Sequence, residues 1–245
     1  HALDEGGAMT PQIFAALDLF GDAFEFVFNE QEAATGGVMV GGPDQVIELA
    51  TKQLEVTLLA LGVALVLALP TGLILGHYGK GEFLAVSVGN AGRAVPELAL
   101  IALMAAAIGV GLFDLVVALA ILGIPPILTN TFVGIRQVDR SSVEAARGMG
   151  MSDRQIMTRV ELPLAIPTIM GGVRTSAIHI IATATIAPLA GILTLGDFII
   201  SRNVYGDAGV LAGAILVALM AIMLEMALAG LQWAMTSKGL KLQKA

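Results

Sequence analysis

The chain has no cysteine, one tryptophan, two tyrosines and three histidines in 245 residues, and only 13% of its residues are charged. Without cysteine there is no disulfide, no thiolate-held iron–sulfur cluster and no thiol nucleophile, and the redox compartment stays open. A soluble domain carries about a quarter charged residues, roughly twice the share found here. The balance is acidic, net −7, which argues against nucleic acid as a partner. Neither H-E-x-x-H nor G-x-S-x-G occurs, and there is no G-x-x-x-x-G-K-[ST] loop. The chain therefore lacks these common hydrolytic constellations and cannot bind nucleotide by a Walker loop.

What is abundant is apolar surface: 56% of residues are hydrophobic, with 29 glycines and 11 methionines, and the mean hydropathy is +0.85. Small residues suit close helix packing inside a bilayer, and an apolar run of about 20 residues crosses its hydrocarbon core. The reading is an all-α integral membrane protein of about five spans, near residues 54–76, 83–108, 112–135, 164–189 and 210–235. Asp44 opens a lead-in helix to the first span, and Pro125 and Pro126 are expected to kink the third. The polar group Asn90, Arg93 and Glu97 interrupts the second. Residues 198–200 are too few to cross.

Ahead of the spans, residues 11–29 place Ile13, Leu17, Phe20, Phe24 and Val27 on one helical side and Asp18, Asp22 and Glu25 on the other. That pattern predicts a helix lying in a membrane interface, and its acidic face disfavours the anionic cytoplasmic leaflet. The organisation is then a helix and Gly-rich linker over 1–43, a transmembrane domain over 44–240 and a tail over 241–245. The first residue is His1 rather than Met, so the natural start is expected to differ. Lys and Arg set the orientation. His77, Lys80, Arg93, Arg136, Arg140, Arg147, Arg154, Arg159, Lys238, Lys241 and Lys244 fall on one side, and only Lys52 and Arg202 on the other. The expectation is an N-terminus outside and a C-terminus in the cytoplasm.

Between the third and fourth spans stands "SSVEAARGMGMSDRQIMTRVELPLA". Ser141 with Glu144, and Ser152 with Gln155, have the spacing of helix-opening capping boxes. Gly150 stands where a left-handed stop is cheap, and Pro163 suits the first turn of the following span. Two short helices at an angle, over 141–160, make a docking surface. Glu144, Ala145, Ala146, Gly150, Leu162 and Pro163 fit E-A-A-x3-G-x9-I-x-L-P, with Val160 in place of isoleucine. This resembles the EAA motif of ABC importer permeases. Across 46–240, "NAGRAVPELAL", "TNTFVGI", "GVRTSAIHIIATATIA" and "LGDFI" look like permeases for osmoprotectants such as glycine betaine, choline or carnitine. Glu97 stands where those permeases carry a small polar residue.

The resemblance implies a type I ABC importer transmembrane domain in the inner or plasma membrane of a prokaryote. The 141–160 segment would couple it to two ATPase subunits, which use ATP and Mg while this chain carries no cofactor and is not itself an enzyme. A second permease chain, identical or paralogous, would complete the path. The chain lacks the domain that some relatives fuse after the last span, so the extracytoplasmic solute-binding protein should be separate. A permease for an amino acid or a methylated nitrogen or sulfur compound is the alternative, and a secondary transporter would require an internal repeat that the sequence does not display.

Six polar residues inside the spans are candidates for the path or the bundle interior: Asn90, Arg93, Glu97, Arg174, His179 and Glu225. Arg93 and Glu97 stand four apart, which fits either a mutual ion pair or a path lining. Arg174 fits a structural or dimer-interface role. His179 has no partner at metal-ligand spacing and reads as a packed histidine. Glu225 is either protonated or paired, and Asp197 reads as a turn or cap residue. A cation–π cage needs clustered aromatics, and Tyr78, Tyr205 and Trp233 lie far apart in sequence. High-affinity recognition is therefore assigned to the binding protein.

Overall fold

A computed structural model of the chain describes residues 11–83, 85, 87, 89 and 95–236. The described residues are nearly all helical, apart from one two-stranded hairpin. In chain order the elements are α1 (Pro11–Phe28), β1 (Glu30–Glu32), β2 (Met39–Gly41), α2 (Gly42–Tyr78), α3 (Glu97–Ile108), α4 (Leu112–Arg136), α5 (Arg140–Gly148) and α6 (Asp153–Ile156). A π-helical turn (Met157–Glu161), α7 (Leu162–Thr183), a 3-10 helix (Ala184–Ala190), α8 (Gly196–Ile200) and α9 (Arg202–Met235) follow. The chain divides into two compact units, His1–Glu55 with Ala184–Met220, and Val56–Thr183 with Ala221–Ala245.

In the first unit α1 is held by its least polar inner residues. Ala23 and Phe26 are buried, and the Phe26 ring meets Phe198 edge-on at 5.1 Å and Tyr205 at 6.1 Å. Burying such a ring contributes about 2–3 kcal/mol. Leu17, Phe20, Phe24 and Phe28 remain exposed on α1, an apolar stripe at helical spacing. The β1–β2 hairpin pairs Glu30 with Gly41 and Glu32 with Met39. The predicted Gly-rich linker thus contains strand pairing at both ends. Asp197 does more than cap a turn: it accepts the Tyr205 hydroxyl at 2.7 Å and the Ser201 hydroxyl at 2.9 Å.

The second unit is organised by the packing of α4 against α7, with α3 on α4. Small residues make this approach possible. A Cβ on Gly123 would lie 2.7 Å from Ile180 Cδ1, and one on Gly172 would lie 2.6 Å from the Pro126 carbonyl oxygen. The Ser176 hydroxyl donates to the Gly123 carbonyl at 2.9 Å, so close approach also yields an interhelical hydrogen bond. Leu115, Leu119, Ile127, Ile180 and Ile181 are buried in this unit. Helix α4 continues through Pro125 and Pro126.

Several boundaries differ from expectation. The lead-in and first span form one 37-residue helix, α2, with Pro70 inside. Four helical runs are long and apolar enough to cross a membrane: Gly42–Tyr78, Leu112–Arg136, Asp153–Ala190 and Arg202–Met235. Of the expected second span, the 12-residue α3 is the intact described helix, about 18 Å at 1.5 Å per residue. Pro96 explains the boundary. It disfavours helical backbone at Val95, and it sits at φ −68°, ψ 118° as the residue that opens α3. The last run carries a break at Gly206, φ 64° and ψ −172°.

Candidate functional site

The 141–160 segment folds as two short helices, with two corrections. Helix α5 is opened by Asp139 rather than Ser141: the Asp139 carboxylate accepts the Ser141 backbone N–H at 3.1 Å and also the Ser141 hydroxyl. A carboxylate at a helix N-terminus meets both the free N–H groups and the dipole, so Asp139 takes the capping position two residues before the serine. These two Ser141 bonds, the hydroxyl first, hold the Asp139 carboxyl below the usual carboxylate range. Glu144 is thereby released from capping and is exposed on α5.

The end of α5 is as expected. Gly150 has φ +82°. Its N–H reaches the Arg147 carbonyl at 3.0 Å, and the Met151 N–H reaches the Ala146 carbonyl at 3.2 Å. These are the two crossed bonds of a Schellman stop. Ser152 and Gln155 form the predicted capping box, with Ser152 N–H to Gln155 Oε1 at 2.8 Å and Gln155 N–H to Ser152 Oγ at 3.4 Å.

The second correction concerns Pro163, which does not start a new helix. Helix α6 runs through the π-helical turn into α7, where the Leu162 N–H bonds the Met157 carbonyl five residues back. Widening the ladder just before a proline lets the helix absorb the missing donor. Of the fixed positions, Ala146 is buried, Glu144 and Ala145 are exposed, and Leu162 and Pro163 are half-buried.

The π-helical turn also aims Glu161 inward. Its Oε2 lies 2.5 Å from His77 Nδ1 at the end of α2, and both side chains are buried. The pair sits on a cavity of about 240 Å³ lined also by Tyr78, Arg136, Arg140, Glu144 and Arg147. Sequence reasoning treated His77 and Glu161 only as polar flanks. Their separation of 84 residues gave no periodic signal.

Of the intramembrane candidates, Asn90 and Arg93 lie outside the described residues. Glu97 stands in the first turn of α3, after Val95 and Pro96. Glu97 meets α7: Oε1 is 2.6 Å from His179 Nε2, and Oε2 accepts the Thr183 hydroxyl at 3.0 Å. Arg174 donates from Nε to Glu225 Oε1 at 2.8 Å and from Nη1 to Gln232 Oε1 at 2.8 Å, and its Nη2 also pairs with Glu225. Glu225 is thus the paired alternative. Thr183 and Gln232 were missed, although each stands at helical spacing from a candidate, four after His179 and seven after Glu225.

On α7 the exposed positions Thr175, Ile178 and Ala182 form a stripe. Arg174 and His179 flank it on its two edges, each half-buried and paired. Among the described residues Phe26, Phe198 and Tyr205 form a cluster whose rings pack edge-on against one another. Phe26 and Phe198 are fully buried, so this cluster is core and not an open cage. Among the described residues no group of three or more His, Asp and Glu is placed to hold a metal ion.

Residues 68–235 match the family described as Binding-protein-dependent transport system inner membrane component. The chain is 38% identical over 191 residues to the carnitine transport permease protein OpuCB of Listeria monocytogenes, covering 78% of this chain and 88% of that one. Over the same shares it is 36% identical to the glycine betaine/carnitine/choline transport system permease protein OpuCB of Bacillus subtilis (strain 168). It is 35% identical to the choline transport system permease protein OpuBB of the same organism, again over 78% of this chain and 88% of that one. Among solved structures it resembles an inward-facing MetNI methionine ABC transporter, with TM-score 0.68 at 20% identity over 78% of this chain and 96% of that one. An amino acid ABC transporter determined with histidines gives TM-score 0.57 at 21% identity over 77% of this chain and 91% of that one. The fold is the expected one, the all-α transmembrane domain of a type I ABC importer.

Proposed function

The chain belongs to the family of binding-protein-dependent transport system inner membrane components, and from that premise we propose that it is the permease subunit of an ATP-driven importer for quaternary-ammonium osmoprotectants. Glycine betaine, choline and carnitine are the solutes that its relatives' names carry. The observation that carries the coupling part of the reading is the paired short helices of 139–156. With the Schellman stop at Gly150 and the capping box at Ser152, they leave Glu144 and Ala145 exposed while Ala146 is buried beneath them.

In this reading the segment is cytoplasmic and seats in a separate ATPase subunit, two of which bind ATP and Mg. A second permease chain, identical or paralogous, completes the path, and a separate extracytoplasmic binding protein delivers solute. ATP-driven closure of the ATPase pair moves the segment, and the membrane helices shift as rigid bodies from inward- to outward-facing. Glu97, His179, Arg174 and Glu225 face the path or the second chain. A half-exposed ion pair against lipid is costly, and these groups belong where water or protein covers them.

The test is reconstitution of the chain with its ATPase, companion permease and binding protein in proteoliposomes. ATP-dependent uptake of labelled choline, glycine betaine or carnitine is expected. Uptake of an amino acid with none of these three would replace the osmoprotectant reading with the amino-acid alternative.

A further inference from the structure

We propose that the buried His77–Glu161 pair is the linkage through which the coupling segment moves α2, so that the ends of α2, α4 and α7 swing as one body. This rests on the coupling reading above and names two positioning residues for it, neither of them among the motif's fixed positions.

Covalent continuity decides which helices need such a linkage. The segment runs through α6 and the π-helical turn into α7 without a break, and residues 137–139 join α5 to α4. A displacement of the segment therefore enters α4 and α7 along the backbone. Helix α2 has no such connection, because the chain leaves its end at Tyr78 toward α3.

Two kinds of contact hold the end of α2 to its neighbours. One is close packing on α4: a Cβ on Gly72 would lie 2.7 Å from Thr131 Cβ, and one on Gly76 would lie 2.8 Å from Ile135 Cβ. Packed surfaces resist being pushed together, but the attraction of each atomic contact is small and undirected, so they part and slide. The other is the pair itself, with His77 Nδ1 2.5 Å from Glu161 Oε2 and side chains 5% and 7% exposed. A hydrogen bond is directional and resists pulling and sliding, and burial keeps water from competing for it. With the proton on either partner, one side chain donates to the other. The pair thus carries the return stroke as well as the forward one.

Two further features suit a moving block. Glu161 stands in a π-helical turn, a winding that recurs at functional sites, whereas apolar residues of similar volume often replace a buried ion pair without loss of stability. Each of the three helices also carries proline on the side away from the segment: Pro70 in α2, Pro126 in α4 and Pro167 in α7. At 1.5 Å per residue these stand about 9–14 Å along their helices from His77, Ile135 and Glu161. A proline inside a helix removes a ladder hydrogen bond and eases bending there. The block between the prolines and the segment is then a hinged unit.

The experiment uses the reconstituted complex, with uptake and binding-protein-stimulated ATP hydrolysis measured together and thermal unfolding followed in nanodiscs. His77→Leu/Glu161→Leu fills the position without a hydrogen bond, and His77→Gln/Glu161→Gln retains one. The leucine pair is expected to unfold near the wild-type temperature and to hydrolyse ATP, while uptake per ATP falls about tenfold, the bias that one buried hydrogen bond supplies. The glutamine pair should keep the wild-type ratio. Because the chain has no cysteine, His77→Cys/Glu161→Cys can be bridged selectively by a short bifunctional thiol reagent in a complex with cysteine-free partners. Uptake per ATP should be low before bridging and restored after it. A wild-type ratio in the leucine pair overturns the proposal. So does a bridged pair that hydrolyses ATP without transport, since the two side chains would then have to part during the cycle. If the leucine pair fails to fold, the cysteine pair decides, and a ratio that bridging leaves unchanged overturns the proposal. A wild-type complex with neither stimulated ATP hydrolysis nor uptake defeats the coupling reading itself, a different result from an unresponsive ratio.

Discussion

Replacing Gly150 separates a docking mount from a plain connecting loop. The residue sits at φ +82° with no heavy atom within 4 Å of where a Cβ would stand. A substitution there meets no clash inside the chain, and its whole effect is conformational. A side chain that stays in the left-handed region is strained by roughly 1–2 kcal/mol. One that leaves it gives up the Gly150 to Arg147 and Met151 to Ala146 hydrogen bonds, each worth about 0.5–1.5 kcal/mol. Either route weakens the stop by about 1–2 kcal/mol, so an aligned α5–α6 arrangement becomes about five- to thirtyfold less favoured. Gly150→Val is expected to insert normally, because the spans are untouched, and to lose most binding-protein-stimulated ATPase activity and uptake. Gly150→Asn, which tolerates the left-handed region, should retain most of both. If Val is harmless, the segment is not a coupling mount. If Asn is as damaging as Val, the backbone argument is wrong and the site is limited by space against a partner.

His77→Ala and Glu161→Ala each leave one member of a buried pair alone, and a loss of about 3 kcal/mol is expected for either; thermal unfolding in lipid nanodiscs, with His77→Gln/Glu161→Gln recovering much of the loss, checks this. Asp139 has its carboxyl held below the ordinary value by Ser141, so its contribution is complete above pH of about 4 and is lost as pH falls through the lowered value. The stability difference between wild type and Asp139→Ala should be flat from pH 8 to pH 5 and shrink in stronger acid. Gly123→Val would place atoms against Ile180 and Ser176, and over-packing of about 1–3 kcal/mol should appear as reduced yield of folded protein by size exclusion. Cysteines at Ser142 and Gly37 should be labelled from opposite sides of the membrane, the first from the cytoplasm; labelling from one side would overturn the orientation.

The elements that sequence exposed are those whose causes are local. Gly150 and the Ser152–Gln155 box were readable because a stop and a cap are made within a few residues. The interfacial helix was readable from spacing, although its anchor was not: Phe26 stands beside Glu25, off the expected apolar side, and its burial depends on Phe198 and Tyr205. Ser141 was misread because two capping groups stood within reach and the charged one won. A hydropathy run over the second span does not register that Pro96 opens a helix of its own, α3.

The polar residues inside the spans show where such reading ends. Periodicity identifies which side of a helix a residue occupies, and membrane energetics then require a partner, but neither says which partner. Glu97 on α3 meets His179 and Thr183 on α7, and Glu225 on α9 meets Arg174 on α7, partners 51 to 86 residues away in sequence. In each case one carboxylate oxygen is paired and the pair remains about a third exposed, although Glu225 Oε2 is buried without a hydrogen-bond partner. A purely structural pair gains nothing from that exposure, since burial would strengthen the same attraction. The exposure therefore sets a choice between two neighbours, a second permease chain that covers the pair on assembly or a water-filled path that leaves it accessible. Protection of a cysteine at Thr175 or Ile178 from aqueous reagents would favour the first, and reactivity that changes between nucleotide-free and ATP-bound complex would favour the second.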